Sequence, residues 1–282
     1  MAVQFLIDSA SDLTLQEADA LGVTMLPLKV VFSGQEYADK VDMSPTEFYE
    51  KPIESDALPT ACQIPPADFE AAYQSILSGG DDLVVICMSS KLSGTCQSAM
   101  IAAEEYPGRV FVVDSLSVCI GERILLEYGL DLACHGVGAK EIHAQLTRQT
   151  EKIRVLALLD TLEYSKKGGR ISAATALAGS LLSIKPVVTV EHGDVIMAGK
   201  ARGSKQGSNL LRQLIDKMGG IDFTKPYALA YSGLSDAMLQ KYIADSSDLW
   251  QPHTQRLPIS MVGCAIGTHV GPGAIAVAFF EP

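Results

Sequence analysis

An apolar run, LVVICMSS (Leu83–Ser90), leads straight into KLSGTCQSA (Lys91–Ala99). The pattern is a strand, a polar turn with one glycine, and a helix of small residues. Ser93 in that turn could serve as a nucleophile, as part of an anion cradle, or as a group that holds a ligand. A hydrolase elbow needs GxSxG, and Lys91-Leu92 stand where its first glycine belongs; no SxxK occurs either. The backbone N–H groups of Gly94 and Thr95, at a helix start, would welcome an anion. Yet neither GxxxxGK[ST] nor a GxGxxG after the first strand is present. What remains is a small phosphate or a carboxylate, held by hydroxyls and amides without evident reaction machinery. A serine hydrolase assembled in space from Ser93, His269 and a carboxylate stays open as an alternative, as does a binder of a small phosphorylated metabolite.

Two further clusters could touch such an anion. GTHVGPG (267–273) concentrates glycines around His269, and glycine lets backbone approach a ligand closely. In SKKGGR (165–170), Lys166 and Lys167 suit a helix C-terminus, where the dipole favours cations. Arg170 lies beyond the double glycine, at the start of the next helix pattern, and that explanation does not cover it. Arg202, with Lys200 and Lys205 in GKARGSK, forms a second basic loop. On a chain of net charge −11, two basic loops suit a phosphate or an acidic partner surface.

The elements that must position these residues follow from pattern. VQFLI (3–7), LVVICM (83–88) and RVFVV (109–113) read as buried strands with helical segments between them. Such alternation indicates a largely parallel sheet flanked by helices. TLQEADALG forms a helix ending at Gly22, VTMLPLKVVF (23–32) an edge or bent strand around Pro27, and ADFEAAYQSILSGG a helix stopped by glycines. In TCQSAMIAAEEY, Cys96, Ala99, Met100 and Ala103 recur at helical spacing and predict its buried stripe. Three strands end in hydroxyl-rich turns, at Asp8-Ser9, Ser89-Ser90 and Asp114-Ser115. Ligands of open parallel sheets bind beyond such strand ends, and the same residues cap the helices that follow.

The second half differs. IRVLALL (153–159) is a strand, DTLEYSKKGG a helix, and ISAATALAGSLLSI (171–184) another. KPVVTVEHGDVIMAG folds as a hairpin about His192-Gly193-Asp194. NLLRQLIDKM, YALAYSG, a further helix and AIAVAFF complete it. The expected architecture is two α/β lobes, 1–152 and 153–282, with a ligand cleft between them.

Composition narrows the class. The chain has 282 residues, 48% hydrophobic and 20% charged, enough for ordinary cores. Its net charge argues against nucleic acid, which needs clustered Lys and Arg. No apolar stretch approaches the roughly 20 residues of a membrane span, and no basic leader precedes Asp8, so the expected compartment is the cytosol. The six cysteines (Cys62, Cys87, Cys96, Cys119, Cys134 and Cys264) include no CxxC and read as small buried hydrophobes. No HExxH or close histidine pair supports a metal, and no cofactor is expected.

Taken together, DSASDL, PTACQ, SSKLSGTCQSA, LEYSKKGGRIS, LLSIKPVV and IGTHVGPGAIAV resemble, in order and spacing, the DegV family, the fatty-acid-binding subunits of bacterial fatty acid kinase. The resemblance runs through nearly the whole chain. It implies a long-chain fatty acid buried between the lobes and an ATP-dependent kinase subunit that phosphorylates the bound acid. It further implies delivery of the acyl-phosphate toward phospholipid synthesis, so that contact with a membrane, if any, is transient. On this reading the protein is a carrier, not a catalyst. The resemblance puts Ser93 on the carboxylate with the Gly94 and Thr95 amides nearby, and His269 beside the same head group. It assigns Arg170, and by looser analogy Arg202, to the kinase encounter and the acyl-phosphate. Where relatives commonly read TTSQ, this chain has Thr60-Ala61-Cys62-Gln63. Ala61 thus takes the place of a hydroxyl donor to the carboxylate, and Cys62 replaces a serine with a weak donor.

The energies tolerate that loss. Burying a methylene is worth about 0.8 kcal/mol, so about fourteen contribute on the order of 10 kcal/mol before ordering costs. A missing hydroxyl donor costs about 1–3 kcal/mol, and a water or another donor is expected to replace it. AATALAGSLLSI (173–184) is the sequence candidate for part of the acyl tunnel.

Overall fold

The computed structural model describes residues 2–51, 58–171 and 184–282. Four strands form a parallel sheet in the order β2-β1-β6-β7: β1 Val3–Asp8, β2 Val23–Leu26, β6 Asp82–Cys87 and β7 Val110–Asp114. The continuous apolar runs of β1 and β6 bury both of their faces, as a parallel sheet between helix layers demands. The helices Pro66–Leu77 and Thr95–Ala103 pack on one another, as do Ile120–Cys134 and Ala139–Gln149.

VTMLPLKVVF does not make one strand. At Pro27, which has no N–H to give a ladder, it divides into β2 and β3 (Lys29–Phe32). β3 is the centre of a small antiparallel sheet with β4 (Gln35–Ala38) and β5 (Thr60–Cys62), in which Val30 faces Ala61. A second expectation shifts as well. The buried stripe of the Thr95–Ala103 helix is Thr95, Cys96, Ser98, Ala99 and Ala102, while Met100 is 40% exposed. The helix buries the side next to its first turn, where Thr95 is held, and this rotates Met100 outward.

The remaining strands are β8 (Ile153–Leu158), β9 (Ile184–Glu191), β10 (Asp194–Arg202), β11 (Ala228–Tyr231), β12 (Ile259–Met261) and β13 (Ile275–Phe280). They form one mixed sheet in the order β10-β9-β8-β13-β11-β12. β9 and β10 are joined by a two-residue turn in which His192 and Gly193 both have positive φ, the geometry of a tight hairpin. On the outer face, Leu156, Leu158, Val277 and Phe279 form a core with Leu211 and Ile215 of the Gly203–Lys217 helix and with Trp250. The inner face turns toward the parallel sheet. The Ile120–Cys134 helix lies between the two sheets, packing on β6 and also on β8, β11 and β13. One continuous core therefore contains Phe5, Leu83, Ile124, Val155, Ala228 and Phe280. Every strand of the parallel sheet precedes residue 152 and every strand of the mixed sheet follows it.

Candidate ligand-binding site

The three hydroxyl-rich strand ends are structural first. Asp8 caps the short turn after β1, accepting from Ala10 N at 2.9 Å. Its other oxygen accepts from Met88 N, just past β6, at 2.8 Å. Asp114 accepts from the Ser90 and Leu116 N–H groups, both at 3.1 Å. Ser89 Oγ donates across to Gly193 O in the hairpin turn at 2.8 Å, which ties the base of the Ser93 turn to the second sheet.

On that base the chain winds through Leu92 and Ser93, whose N–H groups both bond to Ser89 O. Gly94 is the N-terminal cap of the next helix. Ser93 Oγ lies 2.9 Å from Thr95 Oγ1 and accepts from Thr95 N at 3.2 Å, while Thr95 Oγ1 accepts from Ile64 N at 3.4 Å. Thr95 is thus buried and shared between two backbone segments. Ser93 is half-buried and faces a small pocket. Ala61, Cys62 and Gln63 of the β5 segment, Gly94, Arg170 and His269 line the same pocket. Ala61 is half-buried and Cys62 exposed at its rim.

His269 comes from a different element than its glycines suggest. GTHV is the last turn of a helix, Cys264–Val270, and the glycine loop begins only at Gly271, φ +66°. Two carboxylates anchor the start of that helix: Asp12 accepts from Gly263 N at 2.8 Å and Asp39 from Cys264 N at 3.0 Å. Lys40 reaches into the same cluster, donating to Ser9 O and Leu13 O. At the far end, Ser165 Oγ donates to His269 O at 2.6 Å. Burial and, second, the Arg170 guanidinium push the imidazole pKa down to about 4, and Nδ1 has no partner among the described residues. His269 therefore enters the pocket as a neutral ring. Its ring protons are expected to titrate in NMR with a midpoint near pH 4 and to stay unchanged from pH 6 to 8. A midpoint near 6.5 would mean that the ring is solvated.

Arg170 bridges the site. Its Nε donates to Leu92 O at 3.2 Å, across from the Ser93 turn, and Nη1 to Gly168 O at 2.7 Å. Arg202 lies elsewhere. It caps the Gly203–Lys217 helix at the end of β10, its N–H bonds to Gln206 Oε1, and it lines neither this pocket nor the cavity behind it.

A cleft between the lobes was expected; the residues that wall it are what sequence reading missed. The cavity shares Met88, Leu92, Arg170, Ile266 and His269 with the small pocket, so the two adjoin. Its other walls are almost wholly aliphatic. They include Val118 from the first lobe, Val188 and Val190 of β9, and Ala157, Ala230 and Ala276 of the central strands. The legible signal was GAIAVAFF, where alternate positions are all alanine. The tunnel candidate 173–184 lies, apart from Ile184, outside the described residues. Among the described residues no cluster of His, Cys, Asp and Glu could hold a metal, and no helix is long and apolar enough to cross a membrane.

Comparison with known proteins extends this picture. The family model described as "Uncharacterised protein, DegV family" matches residues 2–282. A DegV domain-containing protein of Deinococcus radiodurans is 35% identical over 286 residues, covering 100% of this chain and 99% of that protein. Among solved structures, a fatty-acid-binding DegV family protein from Thermus thermophilus superposes with a TM-score of 0.88 at 31% identity, covering all of both chains. DegV of Bacillus subtilis, described as a fatty acid binding protein, gives 0.84 at 26% identity, again over all of both chains.

Proposed function

The chain belongs to the DegV family, and from that premise we propose that it binds a long-chain fatty acid, tail in the apolar cavity and carboxylate in the small pocket. One observation carries the reading: an aliphatic cavity opens, through five shared residues, onto a pocket lined by Ser93, Gly94 and a neutral His269. Such a pair of spaces matches an amphiphile with one polar end. An apolar cavity recovers about 0.8 kcal/mol per methylene, while a buried carboxylate must find hydrogen bonds or a proton. Ser93 Oγ, free to turn its proton from Thr95, is the donor assigned to the carboxylate. The Gly94 and Thr95 amides stand nearby, and Ala61 and Cys62 form the weakly donating rim. Arg170 sits where a head group emerges.

In this reading the protein acts as a carrier in the cytosol, its lobes divided near residue 152. It presents the carboxylate to a separate ATP-dependent kinase subunit that makes the acyl-phosphate, with Arg170 and Arg202 meeting that partner. A serine hydrolase has less support. Ser93 Oγ pairs with Thr95, and His269 Nδ1 has no carboxylate behind it among the described residues, whereas an activated serine needs an oriented base.

Mass spectrometry of gently purified protein is expected to find a fatty acid bound in a one-to-one ratio. Ser93→Ala should then bind palmitate about ten- to hundredfold more weakly, the worth of one charge-assisted hydrogen bond. Protein that neither carries a fatty acid nor takes up added palmitate would overturn the reading.

A further inference from the structure

The cavity floor is the inner face of the mixed sheet, and it is built from a residue poorly suited to strands. Alanine packs poorly on a pleated surface and is depleted there. Yet Ala157, Ala276 and Ala230 stand side by side on three neighbouring strands, Ala276 paired with Ala157 on one side and Ala230 on the other. Another pair of alanines on the same strands, Ala278 and Ala228, does not line the cavity. Ala157, Ala276 and Ala230 line the cavity together with Met88, Leu92 and Val118.

Resting on the fatty-acid reading, we propose that Ala157, Ala276 and Ala230 are a ruler that sets the length of acyl chain this protein accepts. The cavity draws lining residues from five consecutive strands of the sheet: Val195 of β10, Val188 of β9, Ala157 of β8, Ala276 of β13 and Ala230 of β11. Four spacings of about 4.8 Å give a span of about 19 Å. An extended alkyl chain advances about 1.25 Å per carbon at ordinary bond lengths and angles, so about fifteen carbons fill that span. The width of the trough is the missing side-chain volume of the alanines. Where Val188 takes over, beside Ala157 in register, the floor rises. Leucine at Ala276, inside the span, would fill the trough under the tail and leave room only for a shorter chain.

The test is displacement of a fluorescent fatty acid by decanoate, laurate, palmitate and stearate, measured on the full chain. Wild-type affinity should rise with chain length up to palmitate. Ala276→Leu should lower palmitate affinity by at least about tenfold while decanoate stays within about threefold, since two or more methylenes lose their place. Ala230→Val, a smaller addition on the next strand, serves if the leucine variant does not fold. Val188→Ala deepens the trough and should move the optimum toward stearate. If wild-type protein binds the acids but variants that fold keep its chain-length profile, or weaken all four acids equally, the ruler is wrong and fatty-acid binding stands. If wild-type protein binds none of them, both fall.

Discussion

Gly168→Ala is expected to weaken fatty-acid binding by at least about tenfold while leaving the protein as stable as before. The backbone at Gly168 is right-handed helical, φ −73° and ψ −9°, so alanine fits the conformation, and elsewhere such a change stabilises by about 0.4–1 kcal/mol. The obstacle is spatial. A methyl group there would lie 2.8 Å from His269 Cε1 and closer still to Nδ1. His269 cannot yield backward, because its carbonyl is held by Ser165 and its helix is anchored at the other end by Asp12 and Asp39. The imidazole must swing into the space where the small pocket meets the apolar cavity, which is the place assigned to the head of the ligand. Gly94→Ala supplies a contrast. Its methyl group would strike the end of the Gln63 side chain, 2.8 Å from Cδ, and an exposed glutamine can turn aside. Palmitate titration with urea unfolding on the same samples decides the matter. Equal affinity in Gly168→Ala and wild type would show that the His269 ring does not border the bound acid.

This contrast bears on what a single sequence makes visible. The Ser93 turn was legible because strand, glycine and helix start are local signals, and they place Ser93, Gly94 and Thr95 as expected at the end of β6. The parallel sheet was legible for the same reason, since period and turn chemistry are read within a dozen residues. The helical setting of His269 was not legible, because the three glycines of GTHVGPG mask the helix CAIGTHV. Two carboxylates more than 200 residues away in sequence fix the start of that helix, and no local pattern reports such a bond. The split at Pro27 was half visible: the proline marked a break, but pairing of β3 with β5 depends on a segment thirty residues on. Least legible was the floor of the cavity. Ala157, Ala230 and Ala276 lie in three separate segments, each an ordinary apolar strand by itself, and only the register of β8, β13 and β11 brings the missing volumes together. Arg170 and Arg202 show the same limit. Equivalent as basic loops in the sequence, they differ in space: only Arg170 borders the cavity.

The second large effect is on stability, and it comes from Asp8. Asp8→Ala is expected to lower the unfolding free energy by about 2–4 kcal/mol at pH 7, because two buried N–H groups, those of Ala10 and Met88, lose their acceptor at about 1–3 kcal/mol each. Relief of the buried charge returns part of that. Burial pushes the Asp8 pKa from 3.8 up to about 6, outweighing the two N–H donors and Lys40, which favour the anion. Native protein therefore holds the Asp8 proton more tightly than the unfolded chain. The stabilisation is complete below pH 4 and is lost as pH rises through 6, a change on the order of 3 kcal/mol. His269 has the opposite slope. With its pKa pushed down to about 4, it contributes stability above pH 6.5 that fades as pH falls toward 4. The two slopes oppose one another between pH 4 and 6. Removing Asp8 leaves that of His269 without its counterweight, so the variant should lose stability more steeply on acidification than wild type. The gap between the two proteins should be wider at pH 4.5 than at pH 7. Urea midpoints at the two pH values measure it. A gap that narrows on acidification would mean that Asp8 is held as an anion by its two N–H donors despite its burial. Met88, whose N–H is one of those donors, lines both the small pocket and the cavity, so the variant should also bind palmitate more weakly when folded.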